Sequence, residues 1–372
     1  MAQKNEKVSL IGAGTIGGYS GYLLGKAGYS VSIYEDHKVI GEPCHCTGII
    51  TSSILKMVDL PSDVLLNKLT SVKVIGPNGK SCILPTNDIV VDRVKLDEYF
   101  VGLAVKEGAK LHRSHKMVSC DVKEKKFVIS HEGKEEEHSF DTLVGADGPN
   151  SSLAKLLNPD LTRKHWIGPQ AVISGSFDKG QYEVYLNNDF CKGFFAWVVP
   201  SSSTTAVVGL AVRSRASFHF KKFMEMRFGK SYKEEVVRYL GGLIPRYDGL
   251  ITCYENGIYL VGDAGGHVKA TTGGGIIPGM KAARGLVSAL KDGTSYDRAW
   301  RKETGFNLFT HLKIRQMLDT FSDADYNRLI SYMGSKRVQK VMRKSDREYP
   351  ASFLLKLFFA EPRLARYVKH LF

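Results

Sequence analysis

The sequence predicts an α/β protein in which a parallel sheet is interrupted by an inserted, mainly antiparallel β domain and followed by a helical C-terminal region. First, short apolar runs such as Val8–Ile11 end at glycine or aspartate, which is typical of buried parallel strands. Second, residues 66–91 and 165–215 alternate apolar and polar side chains, as strands with one buried face do. Third, apolar residues recur at helical spacing from about residue 295 onward.

Length and composition restrict the class of protein. The 372 residues are long for a single core and predict two interleaved domains, while 43% apolar and 24% charged residues are ordinary for a folded chain. No apolar run reaches the roughly 18 residues of a membrane span, and the polar lead before Val8 predicts no secretory leader. Six cysteines in such a chain are expected to be reduced thiols, so the expected location is the cytoplasm.

The net charge of +14 is compatible with a polyanionic partner, but no nucleic-acid-binding motif accompanies it, and we expect no nucleic-acid partner. Basic residues accumulate near the C-terminus: Lys336, Arg337, Lys340, Arg343, Lys344 and Arg347. Two interpretations stay open, a solvated helix face and a surface that meets anionic lipid. The second would place the protein peripherally on the inner face of the membrane.

The N-terminal glycines predict a phosphate cradle. Val8–Ile11 reads as a buried strand that runs into Gly12, where glycine permits a tight turn. Gly14 would let the backbone approach a pyrophosphate, and Gly17 would let the next helix pack closely on the strand. That helix, predicted over about residues 16–27, directs its N-terminal amides toward the phosphates.

An acid completes this motif. A second strand, Ser30 to Tyr34, ends at Glu35, about 20 residues after the glycines, where a carboxylate can accept hydrogen bonds from a ribose. This order of strand, turn, helix, strand and acid, with the expected spacing, predicts a Rossmann-like dinucleotide-binding domain.

Two later strands also end in an acid. One runs into Asp147-Gly148 and the other into Asp263, within "DTLVGADG" and "LVGDAGG". After a glycine fingerprint, this spacing resembles the FAD-binding pattern of the para-hydroxybenzoate-hydroxylase-like flavoproteins. The resemblance implies FAD as the cofactor, with Glu35 at the adenosine ribose, Asp263 at the ribityl-phosphate region and Asp147-Gly148 close to the dinucleotide. Arg93, at the start of a helical pattern, matches the arginine that this superfamily holds near the flavin.

Three consecutive glycines, Gly273, Gly274 and Gly275, follow Asp263 and precede a helix predicted over about residues 276–290. Amides at such a helix start suit the negative charge of a reduced flavin edge. No second glycine fingerprint is found, so a separate NAD(P)H domain is not expected.

The segment "GEPCHCTGI" contains Cys44, His45 and Cys46. A zinc site needs about four ligands, and no second Cys/His pair accompanies this one, so a zinc site is not favoured. A redox-active cysteine pair usually has C-x-x-C spacing, which this segment lacks, so a redox pair is not favoured either. The segment resembles the P-x-x-C-x-G element of geranylgeranyl reductases, with Pro43, Cys46 and Gly48 in place. The resemblance implies that Cys46 lies beside the reactive face of the flavin, as the candidate catalytic residue; a buried cysteine that only fills space is the alternative.

A second element points to the same family. "GFFAWVVP" resembles the YxWxFP motif that lines the lipid cavity of geranylgeranyl reductases, with Phe195, Trp197 and Pro200 in place. Phe195 stands where the motif has tyrosine, and Val199 stands where it has phenylalanine. The three matching residues are the implied substrate-binding set; core aromatics on a strand are the alternative.

These motifs divide the chain into three predicted parts. Residues 1–65, 92–164 and 250–300 form a discontinuous FAD-binding domain, residues 66–91 and 165–249 form a substrate-binding domain, and residues 301–372 form the C-terminal helical region. Within the last part, apolar residues such as Phe353, Leu357, Leu364, Val368 and Leu371 recur at helical spacing around Pro362. This pattern fits either a pair of helices that caps the core or one that docks on a membrane.

The resemblance as a whole implies an FAD-dependent reductase of isolated double bonds in geranylgeranyl chains of isoprenoid ether lipids or their precursors. Its expected partners are a polyprenyl lipid substrate, NADPH or ferredoxin as electron donor, and a peripheral membrane contact; no metal is expected. Two other functions of the same fold stay open, an aromatic monooxygenase and an electron-transfer flavoprotein.

Overall fold

The computed structural model describes residues 6–370. The strands are β1 (Lys7–Ile11), β2 (Ser30–Glu35), β3 (Ile49–Thr51), β4 (Leu65–Ile75), β5 (Ser81–Val91), β6 (Lys110–Arg113), β7 (Lys116–Asp121), β8 (Lys126–His131), β9 (Lys134–Ser139), β10 (Thr142–Gly145), β11 (His165–Ser174), β12 (Gln181–Tyr185), β13 (Ala196–Pro200), β14 (Thr205–Leu210), β15 (Val236–Pro245), β16 (Tyr254–Glu255) and β17 (Ile258–Leu260).

The α-helices are α1 (Thr15–Lys26), α2 (Arg93–Lys106), α3 (Ser152–Leu157), α4 (Ala216–Phe228), α5 (Ile276–Asp292), α6 (Tyr296–Trp300), α7 (Phe306–Asp319), α8 (Asp323–Met333), α9 (Lys336–Lys344) and α10 (Pro350–Ala360). Single turns of 3₁₀ helix occupy Ser52–Lys56, Ser62–Val64 and Tyr232–Glu235, a π-helical turn Arg301–Gly305 joins α6 to α7, and a longer 3₁₀ helix spans Pro362–His370.

The first sheet carries the predicted dinucleotide motif. Its strand order is β16-β17-β10-β1-β2-β6, and all neighbours are parallel except β16 and β17. Helices α1, α2 and α5 pack against one another beside it. Because β1, β2, β10 and β17 run in the same direction, their carboxyl ends meet at one edge. The glycine loop and the three acids predicted from sequence therefore lie at that edge.

The second sheet is larger and mainly antiparallel, in the order β15-β11-β14-β13-β12-β4-β5-β3, with one parallel pair between β12 and β4. The "GPNG" segment at residues 76–79 forms the turn that joins β4 to β5. Strand β3, which the prediction placed in the FAD-binding part, pairs with β5 in this second sheet. The predicted fold class is confirmed by the two sheets and the helical C-terminal region.

The charged segment at 123–140 forms most of a separate three-stranded sheet, β7-β8-β9. Its apolar face is closed by Phe127 and Ile129, whereas the side chains of β9 are mainly exposed. The charged segment therefore forms a largely solvated hairpin.

The C-terminal helices cover one face of the second sheet. Apolar side chains from α8, α9 and α10 share a core with β4, β5 and β13, and Pro362 separates α10 from the following 3₁₀ helix. Leu364 is buried in this core. Leu371, which was part of the predicted apolar pattern, lies outside the described residues. No helix among residues 6–370 has the length and apolar character that crossing a bilayer would require.

A short polar segment after α9 anchors these helices. The Arg347 guanidinium pairs with Asp88, which is 3% exposed, and donates to Thr86 Oγ1 at 2.6 Å. Asp88 also accepts a hydrogen bond from Tyr182 Oη at 3.1 Å. The sequence placed Arg347 among the basic residues of a solvated or lipid-facing surface; this interpretation is wrong for Arg347, because its charge neutralises a buried carboxylate.

Replacing Arg347 by methionine should destabilise the protein strongly. Arg347→Met leaves Asp88 buried without its cation, which costs about 3 kcal/mol, whereas Arg343→Met removes an exposed charge on α9 and should change stability by about 0.5 kcal/mol or less. Urea unfolding followed by circular dichroism measures both. Equal midpoints for the two variants would contradict the anchoring role of Arg347.

Candidate functional site

A cavity of 1010 Å³ lies at the carboxyl edge of the first sheet, where the second sheet faces it. Its lining includes most of the residues predicted to bind the cofactor: Gly12, Gly14, Glu35, Cys46, Arg93, Asp147, Gly148, Asp263, Gly273 and Gly275. Gly17, Gly274, Phe195, Trp197 and Pro200 are not among its lining residues. Segments distant in sequence therefore converge on one site.

The three glycines of the first loop have different physical roles. Gly12 has a φ of +99°, and a Cβ there would lie 2.5 Å from the carbonyl oxygen of Ala146. A Cβ on Gly17 would lie 2.0 Å from the carbonyl oxygen of Gly12, so this position is set by the packing of α1 on the loop. A Cβ on Gly14 would meet no protein atom within 4 Å. The protein's own packing does not require glycine at position 14, and the open space there suits a close ligand.

Glu35 lines the cavity and also forms a hydrogen bond to the glycine loop. Its Oε2 accepts a hydrogen bond from the Ala13 amide at 2.7 Å, and its Oε1 accepts one from the His37 amide at 3.0 Å. Burial raises the pKa of Glu35, although these hydrogen bonds oppose the shift. Glu35 therefore fixes the loop conformation, a role that the sequence motif alone did not predict.

A buried cluster lies below the start of α1. Arg93 Nη2 donates to Thr15 Oγ1 at 2.8 Å and forms an ion pair with Asp97 at 3.0 Å, while Thr15 donates to Asp97. The Nε of Arg93 is buried and has no hydrogen-bond partner among the described residues. No sequence motif marked Thr15 or Asp97, although Arg93 and Asp97 are four residues apart on one helix, a spacing that favours an ion pair.

The two later acids end their strands as predicted. Asp147 Oδ2 accepts from the Ser152 amide at 2.9 Å, whereas its buried Oδ1 has no partner among the described residues. Burial raises the pKa of Asp147, and it raises the pKa of Asp263 to about 6 although Arg93 and Arg163 oppose that shift. A hydroxyl donor from a ligand would stabilise these poorly solvated carboxylates. Gly148 has a φ of +77° and open space where a Cβ would lie.

The triglycine segment leads into α5, which begins at the cavity. The amide of Gly273 donates to the carbonyl of Lys269 at 2.8 Å, so it is used within the loop. A Cβ on Gly275 would lie 2.7 Å from Asp263 Oδ1. Gly275 is the residue before the first turn of α5, and both Gly275 and Ile276 line the cavity. The N-termini of α1 and α5 thus both face this space.

The Cys44-His45-Cys46 segment forms another wall. Gln170, which is 4% exposed, donates from Nε2 to the carbonyl of His45 at 3.1 Å and accepts from Thr47 Oγ1 at 2.6 Å. Cys46 Sγ accepts from the Gly48 amide at 3.4 Å. Gln170, on β11, therefore holds the thiol-bearing segment between the two sheets. No sequence motif marked Gln170, because its partners are more than 100 residues away.

The predicted lipid-lining aromatics lie beside the cavity, in the core that the second sheet shares with the C-terminal helices. Phe195 stacks on Phe194 at 4.4 Å and meets Trp197 edge-on at 5.7 Å. Trp197 is buried, and its Nε1 has no hydrogen-bond partner among the described residues. Phe194 connects this row to the cavity, since a Cβ on Gly273 would lie 3.4 Å from its ring. Pro200, at the far end of β13, is also buried.

Comparison with known proteins finds relatives of the class that the sequence motifs resemble. The chain is 26% identical to a digeranylgeranylglycerophospholipid reductase of Methanocaldococcus jannaschii, over 98% of this chain and 97% of that protein. It is also 26% identical to digeranylgeranylglycerophospholipid reductase 2 of Methanothermobacter thermautotrophicus, over 91% and 94% of the two chains. The predicted resemblance to geranylgeranyl reductases is confirmed.

Solved structures share the fold. A geranylgeranyl bacteriochlorophyll reductase-like protein of Thermoplasma acidophilum superposes with a TM-score of 0.81 at 20% identity, covering 99% of this chain and 100% of that one. A flavin-dependent brominase superposes with a TM-score of 0.69 at 16% identity, covering 96% and 100%. No family model matches the chain.

Alanine at the first-loop glycines should separate packing from ligand binding. Gly17→Ala forces a Cβ against the Gly12 carbonyl and should destabilise the protein by about 2 kcal/mol or more. Gly14→Ala meets open space, so its unfolding midpoint should stay near that of the unaltered protein while dinucleotide affinity falls by about tenfold or more. Urea unfolding and FAD titration calorimetry measure the two effects. Unchanged FAD affinity in Gly14→Ala would contradict this assignment.

Proposed function

We propose that the protein is an FAD-dependent reductase that saturates isolated double bonds in geranylgeranyl chains of isoprenoid ether lipids or their precursors. The observation that supports this most directly is the convergence of α1, α5 and the Cys46 segment on the 1010 Å³ cavity. Near full-length relatives named digeranylgeranylglycerophospholipid reductase support the substrate class.

The cavity suits a flavin dinucleotide because some of its backbone has open space beside it and some of its polar atoms lack a hydrogen-bond partner among the described residues. These are the open backbone at Gly14 and Gly148 and the unpartnered polar atoms Arg93 Nε and Asp147 Oδ1. We assign the adenosine ribose to Glu35. The remaining cofactor-binding residues in this proposal are Gly12, Gly17, Asp263, Gly273, Gly274, Gly275 and Cys46. Residues 1–65, 92–164 and 250–300 are the proposed cofactor domain, and residues 66–91 and 165–249 the proposed substrate domain.

Saturation of an isolated alkene requires a hydride on one carbon and a proton on the other, and reduced FAD supplies the hydride. The chain's own residues position the alkene and exclude water. Cys46 borders the reacting carbons in this proposal, and Gln170 fixes the Cys46 segment through the backbone of His45 and the hydroxyl of Thr47. In this proposal the prenyl chain extends from the cavity toward the apolar core that contains Phe195, Trp197 and Pro200, none of which lines the cavity itself.

The proposed activity has a direct anaerobic test. The protein, loaded with FAD and reduced by dithionite, should convert a geranylgeranyl lipid to products heavier by two hydrogens for each bond, as measured by mass spectrometry. Cys46→Ser should keep its FAD and lose about tenfold or more in rate, because a smaller and more polar hydroxyl replaces the thiol beside the reacting carbons. Cys120→Ser, in the separate small sheet, is the matched control.

Other outcomes distinguish the alternatives. Product formation that needs oxygen, NADPH and a phenol would indicate an aromatic monooxygenase, and flavin reduction without either product would indicate an electron-transfer flavoprotein. Full alkene reduction by Cys46→Ser with unchanged flavin content would refute the role of Cys46. Bleaching of the flavin by NADPH or by reduced ferredoxin, each tested separately, identifies which of these two proposed donors supplies the electrons.

We also propose that the C-terminal helices contact an anionic bilayer. On α10, Leu355 is 59% exposed and Phe359 is 79% exposed, with the exposed Lys356 between them. Helix α10 packs against α7, on which Phe306 is 68% exposed. Apolar side chains beside lysines, in a chain of net charge +14, suit an interface of acyl chains and anionic head groups.

Point variants of the full chain test this contact. Leu355→Ser with Phe359→Ser should reduce co-flotation with liposomes that contain anionic lipid by about tenfold, because the apolar contact is lost. Val237→Ser, which changes a 62% exposed apolar residue on β15, should not. Equal flotation of all three proteins, or none by the unaltered protein, would contradict the proposal.

A further inference from the structure

We propose that a second, basic pocket binds a phosphate group, which is the head-group phosphate of the polyprenyl substrate if the proposed function holds. This pocket has a volume of 180 Å³ and lies between the segment before β11, the segment after β15 and helix α7. Its charged lining residues are Arg163, Lys164, Arg246 and Asp248. It is distinct from the 1010 Å³ cavity, with which it shares no lining residue.

The positive charge of this pocket is only partly offset by carboxylates, those of Asp147 and Asp263 near Arg163 and that of Asp248 in the lining. None of Arg163, Lys164 and Arg246 forms an ion pair with a carboxylate among residues 6–370, and Asp248 is the one acidic residue in the described lining. Asp248 accepts a hydrogen bond from the Leu250 amide at 3.0 Å. Three cationic side chains of the lining against its one carboxylate favour an anionic ligand.

The two arginines of the pocket are held in place by contacts with the protein, whereas the Lys164 side chain is exposed. Arg163 donates to the backbone carbonyls of Asp263 at 2.7 Å and Pro149 at 3.4 Å. The amide of Arg246 donates to the carbonyl of Lys164 at 2.9 Å, so these two residues lie side by side. The Arg246 guanidinium lies 5.1 Å from the centre of the Trp166 ring, and its buried Nε has no hydrogen-bond partner among the described residues. Burial also lowers the pKa of Arg246, as expected for a cation that lacks a counter-charge.

The surrounding charges do not satisfy Arg246. Arg213 and Arg315 are further cations close enough to lower the pKa of Arg246, while Asp319 and Asp248 oppose them. Asp319 already forms an ion pair with each of Arg213 and Arg315, and the Nε of Arg315 lies 2.8 Å from Asp319 Oδ1. A buried or half-buried cation without its own anion is unfavourable, so binding of a phosphate oxygen here would stabilise the protein.

An aromatic row connects this pocket to the proposed reaction site. Trp166, under Arg246, meets Phe194 at 4.8 Å, and Phe194 stacks on Phe195 at 4.4 Å. Phe194 also reaches the triglycine segment, since a Cβ on Gly273 would lie 3.4 Å from its ring. Trp166 and Phe194 are buried, so a phosphate at Arg246 would lie at one end of a closed row of rings whose other end reaches the edge of the large cavity. The prenyl chain of a bound substrate would have to displace these rings to follow the row.

A phosphate suits this pocket because it is compact and carries up to two negative charges, and because arginine binds it through two parallel N–H donors. A lipid phosphate and free inorganic phosphate share this chemistry. The two sources are distinguished by comparing inorganic phosphate with substrates that carry or lack a phosphate.

Two measurements test the pocket, and the first is independent of the reductase activity. Titration calorimetry of the FAD-loaded protein with inorganic phosphate should show binding that weakens by about tenfold in Arg246→Gln and in Lys164→Met, but not in Lys291→Met, an exposed lysine on α5. In the second, the KM for geranylgeranyl diphosphate should rise by about tenfold in the two pocket variants, while the KM for the neutral alcohol geranylgeraniol stays unchanged.

Each outcome decides a part of the proposal. Phosphate binding that is lost in the variants, with no change in either KM, would support an anion site and overturn the head-group assignment. Absence of phosphate binding together with equal KM values would overturn the pocket itself. Turnover of neither substrate, with phosphate binding intact, would refute the proposed function and leave the anion site supported. Because Lys164 is exposed, its variant keeps the test valid if Arg246→Gln fails to fold.

Discussion

The close approach of α1 to the end of β1 is the constraint on which the site depends. The Gly12 carbonyl lies so near Gly17 that no side chain fits between them, and Gly12 itself faces the backbone of Ala146. These contacts bring the first turn of α1 directly over the strand ends. The N-terminal amides of the helix and the acids at the ends of β2, β10 and β17 can therefore share one small region.

Polar side chains then connect this region to the second sheet. Gln170 holds the Cys46 segment from β11, and Arg163 reaches from the segment before β11 to the carbonyl of Asp263. Gln170 on β11 therefore contacts a wall of the large cavity, and Arg163, just before β11, lines the basic pocket. Hydrogen bonds between buried groups have narrow geometry, so the two sheets are fixed relative to one another at the point where the proposed chemistry occurs.

The sequence predicted those parts of the fold and the site that depend on local patterns. Glycine spacing placed α1, the acids after β2, β10 and β17 were found from the strands that precede them, and Pro362 marked the end of α10. It did not predict Gln170 or the Asp88–Arg347 pair, because each joins residues that are far apart in the chain. The hydrogen bond from the Ala13 amide to Glu35 was not predicted for a related reason. The position of an acid after a strand does not indicate which N–H group will donate to it.

One ion pair has a further mechanical consequence. Glu348, two residues before α10, accepts from Lys269 Nζ at 2.6 Å and from Thr51 Oγ1 at 2.9 Å, while the backbone of Lys269 is hydrogen-bonded to Gly273 and Gly274. Glu348 is 4% exposed, so water competes poorly for this contact. A displacement of α10 would therefore move Lys269 and the glycine loop that precedes α5, which couples the outer helices mechanically to the wall of the large cavity.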